Sequence, residues 1–126
     1  MDAVPYARLL GAAPVADAPQ RLVMPFSDAV VGRPGFLHGG AIAGLLELAA
    51  LAEARRRVPE GVTAKPVNIS VDYLRGGRAA PTYAEASVVR LGRTVANLSA
   101  TAWQDDRATP IATARLTLLL SSSTGQ

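Results

Sequence analysis

Glu47 is the one charged residue in the run from Ala41 to Ala52. On a helix, its same-face neighbours lie three, four and seven positions away. They are Gly40, Ala43, Gly44, Ala50, Leu51 and Ala54, none of them polar. Glu53 lies about 240° around the same helix and belongs to another face. A carboxylate is costly to bury without a partner. Three readings stay open: an ion pair with an arginine across an interface, a side chain reaching water at an edge, or the wall of a partly dry ligand cavity. In the last case its proton affinity can be tuned for catalysis. The small residues beside it leave room for a ligand or a second helix.

His38, Gly39 and Gly40 sit just before this stretch. Glycines at a helix start leave backbone N–H groups accessible at the positive end of the dipole, where they can hold an oxyanion or a polarised carbonyl. The plainer reading is a tight turn with close packing, and His38 as the residue that leads into the helix. Geometry connects the two signals. Eight residues of helix separate Gly39 from Glu47 by ~12 Å, whereas a nucleophile and an oxyanion donor must both approach one carbonyl to ~3 Å. One chain cannot supply both from this helix. Two antiparallel helices across a two-fold axis can, so if both residues are catalytic the active unit is a dimer with composite sites.

The elements that must position these residues can be read along the chain. Residues 3–11 suit a short helix ended by Gly11, 12–20 a Pro/Ala-rich connector and 21–26 a short strand, followed by a loop over 27–37. Residues 38–58 are rich in Ala, Leu and Glu and form the long helix. Arg55, Arg56 and Arg57 favour the negative end of its dipole, and Pro59 and Gly61 stop it. Alternation then predicts strands over 67–73 and 111–120, and two further runs predict strands over 82–90 and 94–104, with turns at Gly76–Gly77, Gly92 and 105–110. The tail from 121 to 126 reads as disordered. The layout is α+β, one domain over 1–126, with an antiparallel sheet of about five strands wrapped around one central helix.

Composition narrows the function. Apolar residues are 49% of the 126, too many for a disordered chain. Many are alanine, which fills little volume, so a large shared interface would help this chain. There is no cysteine and one histidine, which excludes disulfides and Cys- or multi-His metal sites, and no metal is expected. No run approaches the ~20 apolar residues of a membrane span. Asp2, Pro5 and Arg8 interrupt any secretory leader, so a soluble, cytoplasmic protein with no membrane partner is expected. Thirteen basic against ten acidic residues give +3, and aromatics are 5%. Scattered arginines with so few aromatics do not favour nucleic acid, and suit an anionic small ligand as well.

The segment GFLHGGAIAGLLE, residues 35–47, resembles the G-x-x-H-G-G-x(6)-D/E signature of the PaaI-like hotdog thioesterases, the phenylacetate-pathway type. VDYLR at 71–75, VVRLGR at 88–93 and IATARLTLL at 111–119 resemble later strands of that family, in the same order. The resemblance spans roughly residues 20–120. It implies the hotdog fold and hydrolysis of acyl-CoA thioesters by a homodimer or homotetramer, with no cofactor beyond the coenzyme A of the substrate. It implies that Glu47 is the nucleophile or general base and that the Gly39 N–H polarises the thioester carbonyl. It matches His38 to the motif histidine that helps hold the loop or the carbonyl.

Two family features are missing. Many relatives carry Asn or Gln six positions before the motif histidine, where this chain has Gly32. Many carry Thr or Ser four positions after the acid, where it has Leu51. Asn68 is a candidate substitute for such a helper. Gly40 and Gly92 belong to the expected substrate-binding turns. Arg75, Arg90 and Arg93 are candidates for the phosphates of coenzyme A, where bidentate geometry suits arginine. The plain reading makes them solvated turn residues. The alternative function is a non-catalytic acyl-CoA-binding or regulatory protein of the same fold. Dehydratases of this fold pair Asp with His at a spacing other than the nine residues between His38 and Glu47.

Overall fold

The computed structural model of the chain describes residues 9–122. Six strands and one long helix follow in order: β1 (Ala13–Val15), β2 (Ala18–Met24), α1 (Gly39–Arg57), β3 (Val62–Tyr73), β4 (Thr82–Leu91), β5 (Val95–Trp103) and β6 (Ala112–Ser122). They form one sheet in the order β1-β2-β4-β5-β6-β3, antiparallel throughout. Helix α1 packs against β2 to β6, so the sheet curls around it as expected.

The packing follows from the alternation. Ala112, Ala114, Leu116, Leu118 and Leu120 of β6 are buried, as are Ala96, Leu98, Ala100 and Ala102 of β5. The helix answers with Ile42, Leu45, Leu46, Leu48 and Leu51. Alanines on the strands let the sheet close around the leucines. Truncating a fully buried leucine such as Leu46 to alanine should cost about 2–5 kcal/mol. Three sides of α1 are thereby covered. The line Gly40, Ala43, Gly44, Glu47 is the less buried one.

The helix is 19 residues long and ends as its sequence dictates. Arg57 and Arg56 reach back to Glu53, at 2.9 and 3.8 Å. Val58 is extended, and Pro59 follows.

Three expectations need correction, and a fourth lies mostly outside the described residues. The sheet has six strands, because residues 12–20 hold β1 and the start of β2 joined by a turn at Ala16–Asp17. Pro14 and Pro19 disguise this hairpin, yet proline is tolerated at a sheet edge. Strand β3 begins at Val62 and runs through Pro66, where the register shifts between Pro66 and Asn68. Ser121 and Ser122 belong to β6, while 123–126 lie outside the described residues. Of the expected N-terminal helix, only its end is described: Leu9 and Leu10 are helical, and Gly11 stops it at φ +71°.

Candidate active site

The loop before α1 is held by backbone bonds. His38 N–H donates to Val30 O at 2.7 Å, Leu37 N–H to Gly77 O at 3.0 Å, and Gly32 N–H to Phe36 O at 3.0 Å. Gly77 is needed for that approach, since a Cβ there would lie 2.7 Å from Leu37 Cδ1. His38 is thereby placed as the N-cap of α1, extended at φ −71° and ψ 134°. Its Nδ1 accepts from the Gly40 N–H at 2.9 Å. Its carbonyl accepts from Ala41 and Ile42.

That arrangement sorts the donors of the first turn. Gly40, Ala41 and Ile42 have acceptors, whereas among the described residues the Gly39 N–H has none. An orphan N–H at the positive end of a helix is a preformed anion or oxyanion donor. With Nδ1 accepting, the neutral imidazole carries its proton on Nε2, a second donor at an exposed position. A side chain at Gly40 would disturb this, because its Cβ would stand 2.9 Å from His38 Nδ1 and the imidazole would have to shift.

Glu47 is half-buried on the open line of α1. Among the described residues it has no hydrogen-bond or ion-pair partner. Glu53 is the contrast: it is 8% exposed and bound to two arginines. Two glutamates on one helix therefore have different work, one neutralised in place and one left open. Within this chain Glu47 and the Gly39 N–H stay ~12 Å apart along the helix.

The other candidates fall in three places. Arg75 lies just beyond β3, at the end of the sheet that meets the start of α1, and its guanidinium donates to Pro110 O. Gly92 and Arg93 lie at the other end, where they line a cavity of about 360 Å³ with Val58, Pro59, Val62, Leu91 and Leu120. Asn68 and Arg90 lie on the outer face of the sheet, away from α1. They pair with Thr117 and Asn97, which alternate with the buried Leu116, Leu118 and Leu98. Register shifts at Pro66/Asn68 and Val88/Arg90 bring both residues there, leaving Val67 and Val89 exposed. A basin of about 700 Å³ on this face is lined by Asn68, Ser70, Arg90, Asn97 and Arg115 among others. The structure thus does not bring Asn68 to Glu47, nor Arg90 to Arg93's cavity.

Gly32 and Leu51 have structural explanations. A Cβ on Gly32 would lie 3.2 Å from His38 Cα, so the loop closes over a glycine. Leu51 is 8% exposed and belongs to the core. Sequence reasoning passed over Tyr73, the last residue of β3, whose hydroxyl donates to Gly39 O at 2.9 Å. Its one signal was an aromatic ending an alternating strand. Among the described residues no three His, Cys, Asp or Glu side chains gather to hold a metal ion, and no helix is long and apolar enough to cross a membrane.

One long helix wrapped by an antiparallel sheet is the hotdog fold, and the histidine-glycine-glycine start with a mid-helix acid is where the sequence resembles its thioesterases. Residues 34–111 match the thioesterase superfamily, and the chain belongs to that family. A solved protein of Chromobacterium violaceum is 35% identical, with a TM-score of 0.77 over 95% of this chain and 85% of its own. A thioesterase of Pseudomonas aeruginosa, solved as a glutamine-to-alanine mutant, is 28% identical, with a TM-score of 0.81 over 92% and 85%. A protein of Halobacterium salinarum, named provisionally as an esterase, is 34% identical over 85 residues, or 64% of this chain. The match spans 56% of that relative's length.

Proposed function

We propose that the protein hydrolyses acyl-CoA thioesters in sites shared between two copies. The observation that carries this reading is the pair of open groups on α1: among the described residues, the N-terminal Gly39 N–H has no acceptor and the mid-helix Glu47 carboxylate has no partner. Set antiparallel to a second copy along the open line Gly40, Ala43, Gly44, Glu47, the helix places Glu47 opposite Gly39 of its mate. The small side chains on that line permit the approach. The twelve-residue β3 lies at the edge of the sheet, a ready template for pairing with a second β3. A dimer is the minimal unit, and a tetramer of two such dimers is the expected assembly.

In the reaction, the thioester carbonyl oxygen accepts from the Gly39 N–H, with the His38 Nε2–H as the neighbouring donor. Glu47 either takes a proton from a water that attacks the carbonyl carbon, or attacks it directly to form a mixed anhydride that a water then hydrolyses, releasing the acid and restoring the carboxylate. On both routes the C–S bond breaks, and the coenzyme A thiolate leaves and is protonated. The Gly39 donor opposes the negative charge that develops on oxygen, where fixed donors contribute most. Arg93 lies near the end of α1, and Glu47 is eleven residues before Val58, or ~16 Å along the helix. That separation suits a thioester at Glu47 and the phosphates of the same coenzyme A at Arg93. Arg75 and Gly40 serve the same substrate at the helix start. No resident cofactor or metal takes part.

The absence of side-chain helpers at Gly32 and Leu51 favours a second reading, a protein that binds acyl-CoA without turnover. Thiol release from a panel of short, medium and aromatic acyl-CoA esters decides between them, run beside Glu47→Gln. Turnover that disappears in the variant supports hydrolysis. Binding of the esters with no turnover on any of them would transfer the case to the second reading.

A further inference from the structure

We infer that Tyr73 is a positioning residue for the proposed reaction, acting through one peptide group on the histidine. The inference rests on the hydrolase reading for its kinetic consequence, though not for its structural one. The Tyr73 hydroxyl donates to Gly39 O at 2.9 Å. That carbonyl belongs to the same peptide unit as the Gly40 N–H, which donates to His38 Nδ1 at 2.9 Å. The result is an unbroken chain: Tyr73 O–H to the Gly39 carbonyl, across the peptide to the Gly40 N–H, then to Nδ1 of the imidazole.

Each bond in such a chain polarises the next, by about 10–30% per bond. A hydroxyl on the carbonyl draws electron density toward oxygen and makes the amide a better donor. A better donor at Nδ1 holds the imidazole proton on Nε2 and fixes the ring plane. Tyr73 thereby keeps His38 as an outward-facing donor beside the free Gly39 N–H. It also fixes the first peptide of α1 in space, since the ring packs on Gly39, with Cε1 and Cζ 3.7 Å from where a Gly39 Cβ would be. The contact joins the edge strand to the helix start across 34 residues. If β3 pairs with a second copy, the strand that builds the dimer also orients the donors its mate uses.

Tyr73→Phe removes the hydroxyl and keeps the ring on Gly39. His38 is the single histidine, so its imidazole nitrogens are unambiguous in a nitrogen-15 spectrum. The variant should fold normally, shift the Nδ1 resonance toward that of an unbonded acceptor, and speed exchange of the Gly40 amide about three- to tenfold. It should lower kcat about three- to tenfold with KM changed less than about twofold, the mark of an interaction that matters in the transition state. An unmoved Nδ1 resonance and Gly40 amide would overturn the relay. Spectral changes with unchanged kcat would overturn the positioning role. A wild-type protein with no turnover would sink the hydrolase reading and the kinetic role with it, while the imidazole and amide readouts would still decide the relay.

Discussion

The start of α1 and the outer face of the sheet are both polar places on an alanine- and leucine-filled fold, and they are built differently. The outer basin holds about 700 Å³, with Arg90 and Arg115 among hydroxyl and amide side chains. Its polar groups project from strands, and Thr117 and Asn97 bond each other at 3.2 Å. The helix start instead has a backbone fixed at Val30, Gly77 and Tyr73. Among the described residues it leaves one N–H, that of Gly39, without an acceptor at the positive end of a helix. Fixed donors aimed at a forming charge stabilise a transition state without reorganising.

Variants at the two places test that difference. The largest effect is expected for Glu47→Gln, which keeps shape and removes the base: turnover should fall about 10²- to 10⁴-fold in a thiol-release assay, with thermal unfolding nearly unchanged. Gly40→Ala comes next. It drives a Cβ against His38 Nδ1, so the cap is lost, at a cost of about 1 kcal/mol in a denaturant titration. Turnover should fall with it. Arg93→Ala should raise KM for coenzyme A esters about three- to tenfold with a smaller change in kcat; an unmoved KM would remove Arg93 from the phosphate site. The smallest effect is expected for Arg115→Ala in the outer basin, with kcat/KM held within about twofold. A large loss there would reverse the comparison and make the basin the working site.

Much of the fold was legible because its signals are local. The uninterrupted Ala/Leu run, the three arginines and Pro59 bounded α1 to within a residue at each end. Apolar runs bounded by turns marked β4 and β5, and alternation marked β6. The β1–β2 hairpin escaped because Ala and Pro carry no strand preference, and only its place at the sheet edge lets it form. The start of β3 escaped behind Pro66.

The candidate site divides the same way. His38, Gly39 and Glu47 stand in one contiguous motif, so their types and spacing could be read directly, and the ~12 Å between them already called for a second copy. What depends on register could not be read. Asn68 and Arg90 are placed by bulges. The Tyr73–Gly39 bond joins residues far apart in the chain. That Gly39 rather than Gly40 keeps its N–H free depends on the rotamer of His38, which no pattern encodes.

The central claim is that Glu47 of one copy works with the Gly39 N–H of another, and subunit complementation tests it most directly. Gly39→Pro removes that N–H at the first helical position, where proline is tolerated, behind a His38 backbone already extended as a following proline requires. Co-expressed with differently tagged Glu47→Gln chains and isolated as mixed dimers, two inactive parents should recover about half the wild-type turnover per dimer, since one of two sites is intact. Mixed dimers as inactive as their parents would contradict the shared site.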